Sequence, residues 1–283
     1  MSAARAERVL GAPRGTLLEA PIWSPDTGTL SWVDIQSGRL FLLDPVLGSV
    51  TTYETGVAPL GAALPRLGGE FSLIGGEGVY LWRTDAQSVG APEALFGGGE
   101  RGLISNDARR DPWGRLYVGR MAADESVGAG SLVAIEGGGE QRVVATGLTI
   151  PNGLAWSPDG AWLFFAESIE QRVYRVPTSA AGERWSEREV LIEYASELPD
   201  GLAIGPDGNL WVACYGAGRV DRFSLSGDKL GEFSLPVSQV TACEFVGSNL
   251  YVTTAAEGFG DDDWEREPLA GCMFVVRAAI AET

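Results

Sequence analysis

The sequence predicts an all-β fold, a six-bladed β-propeller with four antiparallel strands per blade, spanning residues 1–283 as one domain. Three observations predict it. A Pro-x-Gly-like turn followed by an alternating apolar strand recurs six times. Glycine is abundant, at 39 residues, and falls between short apolar runs, the spacing of hairpins. No apolar stripe at helical spacing persists beyond two turns.

In chain order the six units are "SPDTGTLSWVDI" (24–35), "LGGEFSLIGGEGVYLW" (67–82), "DPWGRLYVGRM" (111–121), "SPDGAWLFFAES" (157–168), "GPDGNLWVACY" (205–215) and "VGSNLYVTTA" (246–255). The second and sixth are the weaker copies. Their strands begin at Leu30, Phe71, Leu116, Leu163, Leu210 and Leu250, at intervals of 40 to 47 residues. Such a period holds about four short strands, the size of a propeller blade. Further runs supply them: "GRLFLLDP" (38–45), "QRVYRVP" (171–177) and "GRVDRFSL" (218–225). A β-sandwich has no need of six equal periods. The ring is expected to close by a strand from the opposite terminus completing the first or last blade, for which "CMFVVRA" (272–278) is suited. The tryptophans on strands, such as Trp23, Trp156 and Trp211, are expected to pack between blades rather than stack on sugars.

Composition narrows the chemistry. There is no histidine, so Ser-His-Asp triads, His bases and imidazole metal sites are excluded. Any metal must be held by oxygen or thiolate. The three cysteines, Cys214, Cys243 and Cys272, lack CxxC spacing and read as small core residues in a reducing compartment. A formal charge of −17 argues against nucleic acid or an anionic membrane as partner. The start "MSAARAERVLGAPRG" lacks the apolar stretch of a signal peptide, and no apolar run reaches membrane-spanning length, so a cytoplasmic location is expected.

Aligning the units on their turn proline exposes a column. Six residues before Pro25, Pro112, Pro158 and Pro206 stand Glu19, Asn106, Asn152 and Asp200. The second unit has Pro59-Leu60 near that place and the sixth has Thr241. Equivalent positions in a propeller are related by rotation about its axis, so these four side chains are expected to converge there. Asn152-Gly153 and Asp200-Gly201 also read as plain turn dipeptides. Glu19-Ala20 does not. Two carboxylates and two carboxamides around one point suit a hard divalent cation: Ca²⁺ foremost, with Mg²⁺, Mn²⁺, Fe²⁺ or Zn²⁺ as alternatives.

The stretches "LLEAPIW", "SNDARRDPWGRLYVGRM", "IPNGLAWSPDG", "LPDGLAIGPDGNLWVACYGAGRV" and "LAGCMFVV" resemble the regucalcin/gluconolactonase/luciferin-regenerating-enzyme-like family, in order and over almost the full length. The resemblance implies a six-bladed propeller with one axial divalent metal, held by Glu19, Asn152 and Asp200. It places substrate contacts on Asn106 and on or near Asp124. Sugar lactonases of the family often carry an arginine where this chain has Ile104, and an apolar residue donates nothing to a polyol. Arg101 or Arg120 are possible substitutes.

The activity so implied is hydrolysis of a lactone, foremost a sugar aldonolactone, by Lewis-acid activation of the carbonyl. Asp200 is expected to be the base, with Glu19 mainly a ligand. Asn106 would orient the carbonyl or a metal-bound water, Asp124 would bind a hydroxyl, and Asp107, beside Asn106, would support it from behind. Two rivals keep the same site: hydrolysis of another ester or a phosphotriester, and a non-catalytic calcium-binding propeller. "GFGDDDWERE" (258–267) lacks EF-hand spacing and reads as a solvated surface loop. Oligomeric state has no signature.

Overall fold

The computed structural model describes residues 5–96 and 102–280; Arg101 lies outside the described residues. Local chemistry sets the hairpins. Pro158 and Gly160 occupy the second and fourth places of a turn whose Gly160 N–H donates to Ser157 O at 2.8 Å. Pro206 and Gly208 repeat it, with Gly208 N–H donating to Gly205 O at 2.9 Å. These are the type I preferences of both residues. The turn glycines sit at positive φ, between 67° and 90° for Gly28, Gly114, Gly160 and Gly208.

The hairpins assemble into six antiparallel sheets arranged as a six-bladed β-propeller. Blade 1 holds Leu18–Ser24, Thr29–Asp34, Arg39–Asp44 and Ser49–Glu54, from the axis outward. Blade 2 holds Leu60–Pro65, Glu70–Gly75, Gly78–Arg83 and Ser88–Leu95. Blade 3 holds Leu103–Arg110, Leu116–Ala122, Gly130–Ile135 and Gln141–Leu148. Blade 4 holds Pro151–Trp156, Trp162–Glu167, Arg172–Ser179 and Glu189–Glu193, with the small strand Gly182–Glu183 added on its third strand. Blade 5 holds Leu198–Ile204, Leu210–Tyr215, Arg219–Phe223 and Lys229–Ser234. Blade 6 holds Val240–Val246, Asn249–Thr254, Phe274–Val276 and Ala6–Arg8. Each innermost strand abuts the next, closing the ring.

Closure differs in detail from the expectation. The crossing strand is Ala6–Arg8, which pairs Ala6 with Val276 and Arg8 with Phe274. Phe274–Val276, within "CMFVVRA", is instead the third strand of its own blade. Phe274–Val276 pairs on one side with Asn249–Thr254 of its own blade, which leaves its other edge to the N-terminal segment.

The core lies between blades. Leu30, Leu163, Leu210 and Leu250 are fully buried, and Phe71 and Leu116 nearly so, as their shared place in the repeat requires. Burying each such side chain contributes about 1.5–3 kcal/mol. Trp211 stacks on Phe233 at 5.6 Å and meets Phe245 of blade 6 edge-on at 5.2 Å. Trp156 is buried and Trp23 packs against the core, so these rings serve blade packing. All three cysteines are free and buried.

A second departure concerns 258–267. Asp261–Arg266 form a short helix rather than a loop. Asp261, Asp262 and Asp263 occupy its first turn, where the helix dipole favours negative charge. Trp264 packs edge-on against Phe259 at 5.2 Å. Among the described residues no helix is long and apolar enough to cross a membrane.

Candidate functional site

Every innermost strand carries a β-bulge at the column. The register breaks between Glu19 and Ile22, Leu60 and Ala62, Ser105 and Ala108, Asn152 and Leu154, Pro199 and Leu202, and Val240 and Ala242. A bulge sets extra residues against one partner and re-aims a side chain out of strict alternation. The glycines after Asn152 and Asp200 therefore serve packing rather than a turn. A Cβ on Gly153 would stand 2.3 Å from Asp200 O, and one on Gly201 2.3 Å from Ala242 Cβ. In blade 1 the same bend falls on Ala20, at φ 47°, a left-handed conformation that costs an alanine about 1–2 kcal/mol.

The bulges bring the four residues together. Glu19, Asn106, Asn152 and Asp200 all line one cavity of about 490 Å³. Glu19, Asn152 and Asp200 are 8%, 9% and 5% exposed. Hydrogen bonds leave oxygens unused on each. Asn152 Nδ2 donates to Ser168 Oγ at 3.2 Å, and Ser168 Oγ donates to Pro199 O at 2.7 Å. Asn106 Nδ2 donates to Pro151 O at 3.2 Å. Both amide oxygens thus lack a protein donor among the described residues. Glu19 Oε2 accepts from the Ala20 N–H at 2.9 Å, which leaves Oε1. Asp200 Oδ1 is buried with no hydrogen-bond partner.

The charges are mutually unfavourable. Burial first, and then the nearby Asp107 and Glu257, push the Glu19 carboxyl up to about 8. Asp200 is likewise held well above its ordinary value, by burial and then by Glu19, Asp107 and Glu257. Among the described residues no group of three His, Cys, Asp or Glu could hold a metal. A cation here would rest on two carboxylates plus amide oxygen. That donor set fits a hard divalent ion: it is all oxygen, it balances two charges, and it gives the orphaned Asp200 Oδ1 a partner. Glu19, Asn152 and Asp200 are the residues that fit the role.

Asp107 does not line the cavity. Its Oδ1 accepts from the Ala108 N–H at 2.7 Å, and burial raises its carboxyl. It acts on Glu19 and Asp200 through charge. Beyond it Arg109 pairs with Glu244, toward the other end of the channel.

Ile104 lines the cavity, whereas Asp124 does not. Asp124 Oδ1 accepts from Ser126 N at 3.2 Å and Ser126 Oγ at 2.6 Å, a local turn that engages its carboxylate. The chain then turns left-handed at Glu125, φ 56°, and Glu125 lines the cavity instead. Arg120 is buried, lies 4.4 Å over the Phe96 ring and is not among the lining residues.

Several lining residues carried no sequence signal. Glu257 stands two residues past the sixth unit, accepts from Gln36 Nε2 at 2.5 Å, and is raised by burial. Tyr215 ends the fifth quoted unit. The entry loops are fixed by buried carboxylates at the ends of second strands. Asp34 accepts from the Leu17 N–H at 3.1 Å, and Glu167 accepts from Thr149 and Ile150 N–H at 3.2 and 3.1 Å. The repeated position of these two acids in "WVDI" and "FAES" was the available clue.

Comparison with known proteins agrees with this architecture. Residues 17–256 match the family described as SMP-30/Gluconolactonase/LRE-like region, and the chain belongs to that family. It is 34% identical to a 6-deoxy-6-sulfogluconolactonase of Pseudomonas putida, covering 93% of this chain and 91% of the relative. It is 32% identical to a pentonolactonase of Haloferax volcanii, covering 94% and 91%. Among solved structures, a calcium-binding regucalcin from Agrobacterium tumefaciens superposes with a TM-score of 0.88 at 28% identity, covering 97% of this chain and 93% of that one.

Proposed function

We propose that this protein is a lactonase that opens the ring of a small lactone, of the aldonolactone type, with the aid of one divalent cation, Ca²⁺ foremost. The observation that carries the reading is the pairing of Glu19 with an unpartnered, buried Asp200 Oδ1 in one cavity. The relatives named as lactonases supply the substrate class. A cation held by Glu19, Asn152 and Asp200 would supply Lewis-acid polarisation of the ring carbonyl.

The chain's own residues do the rest. Water is the nucleophile, and its oxygen bonds to the carbonyl carbon. A carboxylate oxygen of Asp200 takes the proton lost by that water, because the other oxygen suffices as a ligand. Collapse of the tetrahedral intermediate breaks the ring C–O bond. The proton passes from Asp200 to the departing ring oxygen, giving the hydroxy acid. Asn106 Oδ1, free to accept, orients the water or a substrate hydroxyl, a better match to its geometry than orienting a carbonyl. Glu19 is a ligand and a balancing charge. Burial of this end of the channel strengthens each of these contacts.

The test is lactone hydrolysis in wild type and Asp200→Ala, each with chelator and with cation restored. The expected result is loss of activity with chelator, recovery on adding back the cation, and at least about a hundredfold loss in Asp200→Ala. Hydrolysis indifferent to both manipulations overturns the reading, and cation binding without turnover of any lactone or ester favours the non-catalytic propeller.

A further inference from the structure

The walls of the cavity carry information that its metal end does not. Its described lining residues include four carboxylates, Glu19, Glu125, Asp200 and Glu257, and no lysine or arginine. A divalent cation balances Glu19 and Asp200. Glu125 and Glu257 then remain as net negative charge, and no described cation pairs with either. The rest of the lining mixes polar side chains such as Gln36, Ser168 and Tyr215 with apolar ones, among them a pair on blade 3. Ile104 pairs in register with Met121 on blade 3, and both line the cavity. Ile150 and Leu198, at the entries to blades 4 and 5, and Ile169, in the turn after Trp162–Glu167, line the same cavity. Ile169 is 42% exposed, a large apolar side chain at the rim. The Glu167 bond to the Ile150 N–H fixes where this wall stands.

We infer that the cavity selects an uncharged lactone whose substituent remote from the carbonyl is a methyl or alkyl group, and rejects lactones carrying an anion there. The inference rests on the lactone-opening reading given above. With the carbonyl directed at the Glu19–Asn152–Asp200 end of the cavity, we place the remote carbon of a small ring toward the Ile104–Met121 wall. A hydroxyl packed against Ile104 and Met121 gives up hydrogen bonds to water, and neither side chain replaces them. A methyl group loses nothing and buries surface. A phosphate or sulfonate meets two uncompensated carboxylates and no described cation, the least favourable case. The sulfonated lactone for which the P. putida relative is named is therefore a poor match to this chain.

The experiment compares kcat/KM, with saturating divalent cation, for D-glucono-1,5-lactone and its 6-deoxy and 6-phospho counterparts, which differ at one carbon. The 6-deoxy lactone is expected to be best and the 6-phospho lactone at least about tenfold worse than the parent. A second arm, γ-butyrolactone against γ-heptalactone, separates deoxy sugars from plain alkyl lactones; a gain from the apolar group in either arm supports the inference. Ile104→Arg, assayed at cation concentrations that saturate the variant and with a cooperative melt showing that it folds, is expected to narrow the 6-phospho deficit at least about tenfold. If that variant does not fold, Ile104→Gln is expected to erase the 6-deoxy preference. A 6-phospho lactone used as well as its parent, or no gain from the apolar group in either arm, overturns this inference alone. Failure to open any lactone overturns the underlying reaction, and this inference with it.

Discussion

Arg109 on blade 3 forms an ion pair with Glu244 on blade 6, the blade diametrically opposite. The guanidinium also donates to Leu202 O of blade 5 at 3.5 Å, and its charge partly opposes the burial that raises the neighbouring Asp107. One side chain thus ties three blades together across the channel, on the far side of Asp107 from the candidate site.

Removing that guanidinium strands acidic groups inside the ring. Arg109→Met is expected to destabilise the fold by about 2–4 kcal/mol, because truncating one member of a largely buried pair leaves the other unpaired. The double variant Arg109→Met/Glu244→Leu should recover much of the loss. Urea unfolding checks both; a single variant as stable as wild type would show that the pair contributes little.

The raised carboxyls make a prediction about pH. Without cation, the folded protein keeps a proton on Glu19 that the unfolded chain has lost, between its ordinary value of 4.5 and about 8. That contribution to stability is fully present below 4.5 and is lost as pH rises through about 8, and Asp200 acts in the same direction. The melting temperature in chelator is therefore expected to fall from pH 5 to pH 8.5. Cation at about a hundred times its Kd adds about 2.7 kcal/mol, a rise of several degrees, and adds most at the alkaline end. Melts that ignore both pH and cation would contradict this account.

Ser168 offers a test of positioning that leaves every proposed ligand residue in place. Its Oγ accepts from Asn152 Nδ2 and donates to Pro199 O, so it sets which way the amide faces. Ser168→Ala is expected to weaken cation binding about 10–100-fold, while Ser168→Thr keeps the hydroxyl and loses less. Titration calorimetry with Ca²⁺ or Mn²⁺ reads the effect. Equal affinities in all three proteins would remove the role.

The bulge glycines can be tested by one methyl group. Gly153 stands at φ 34°, and a Cβ there would lie 2.3 Å from a backbone oxygen, which no side-chain adjustment relieves. Gly153→Ala is expected to cost at least about 2 kcal/mol and to weaken cation binding, because the strain falls between Asn152 and Asp200. Gly48→Ala, an outer-turn glycine at φ 68° with open space around it, is the control and should cost only about 1 kcal/mol.

Local chemistry made much of this legible beforehand. Turn prolines and glycines, with alternation behind them, mark six hairpins, and the leucine column of Leu30, Leu163, Leu210 and Leu250 marks the core because each repeats one environment. Glu19, Asn106, Asn152 and Asp200 stood out because a repeat transfers position from blade to blade. Their cause was misplaced, however: Gly153 and Gly201 are demanded by the neighbouring strand, not by a turn. That Glu125, beside Asp124, lines the cavity depends on one left-handed residue, which local sequence does not mark. The helix at Asp261–Arg266 was hidden by its brevity.

By itself the sequence determined the blade count, the hairpins and the residue types available for an oxygen-only site. These follow from periods of two residues and of about forty-five, which are properties of neighbours along the chain. Only the closed ring decided that Glu257 stands near Glu19, that Arg109 meets Glu244, and that Ile104, Ile150 and Leu198 line one cavity. Those relations join residues far apart in sequence, and they exist because inter-blade burial bends a linear array of sheets into a circle.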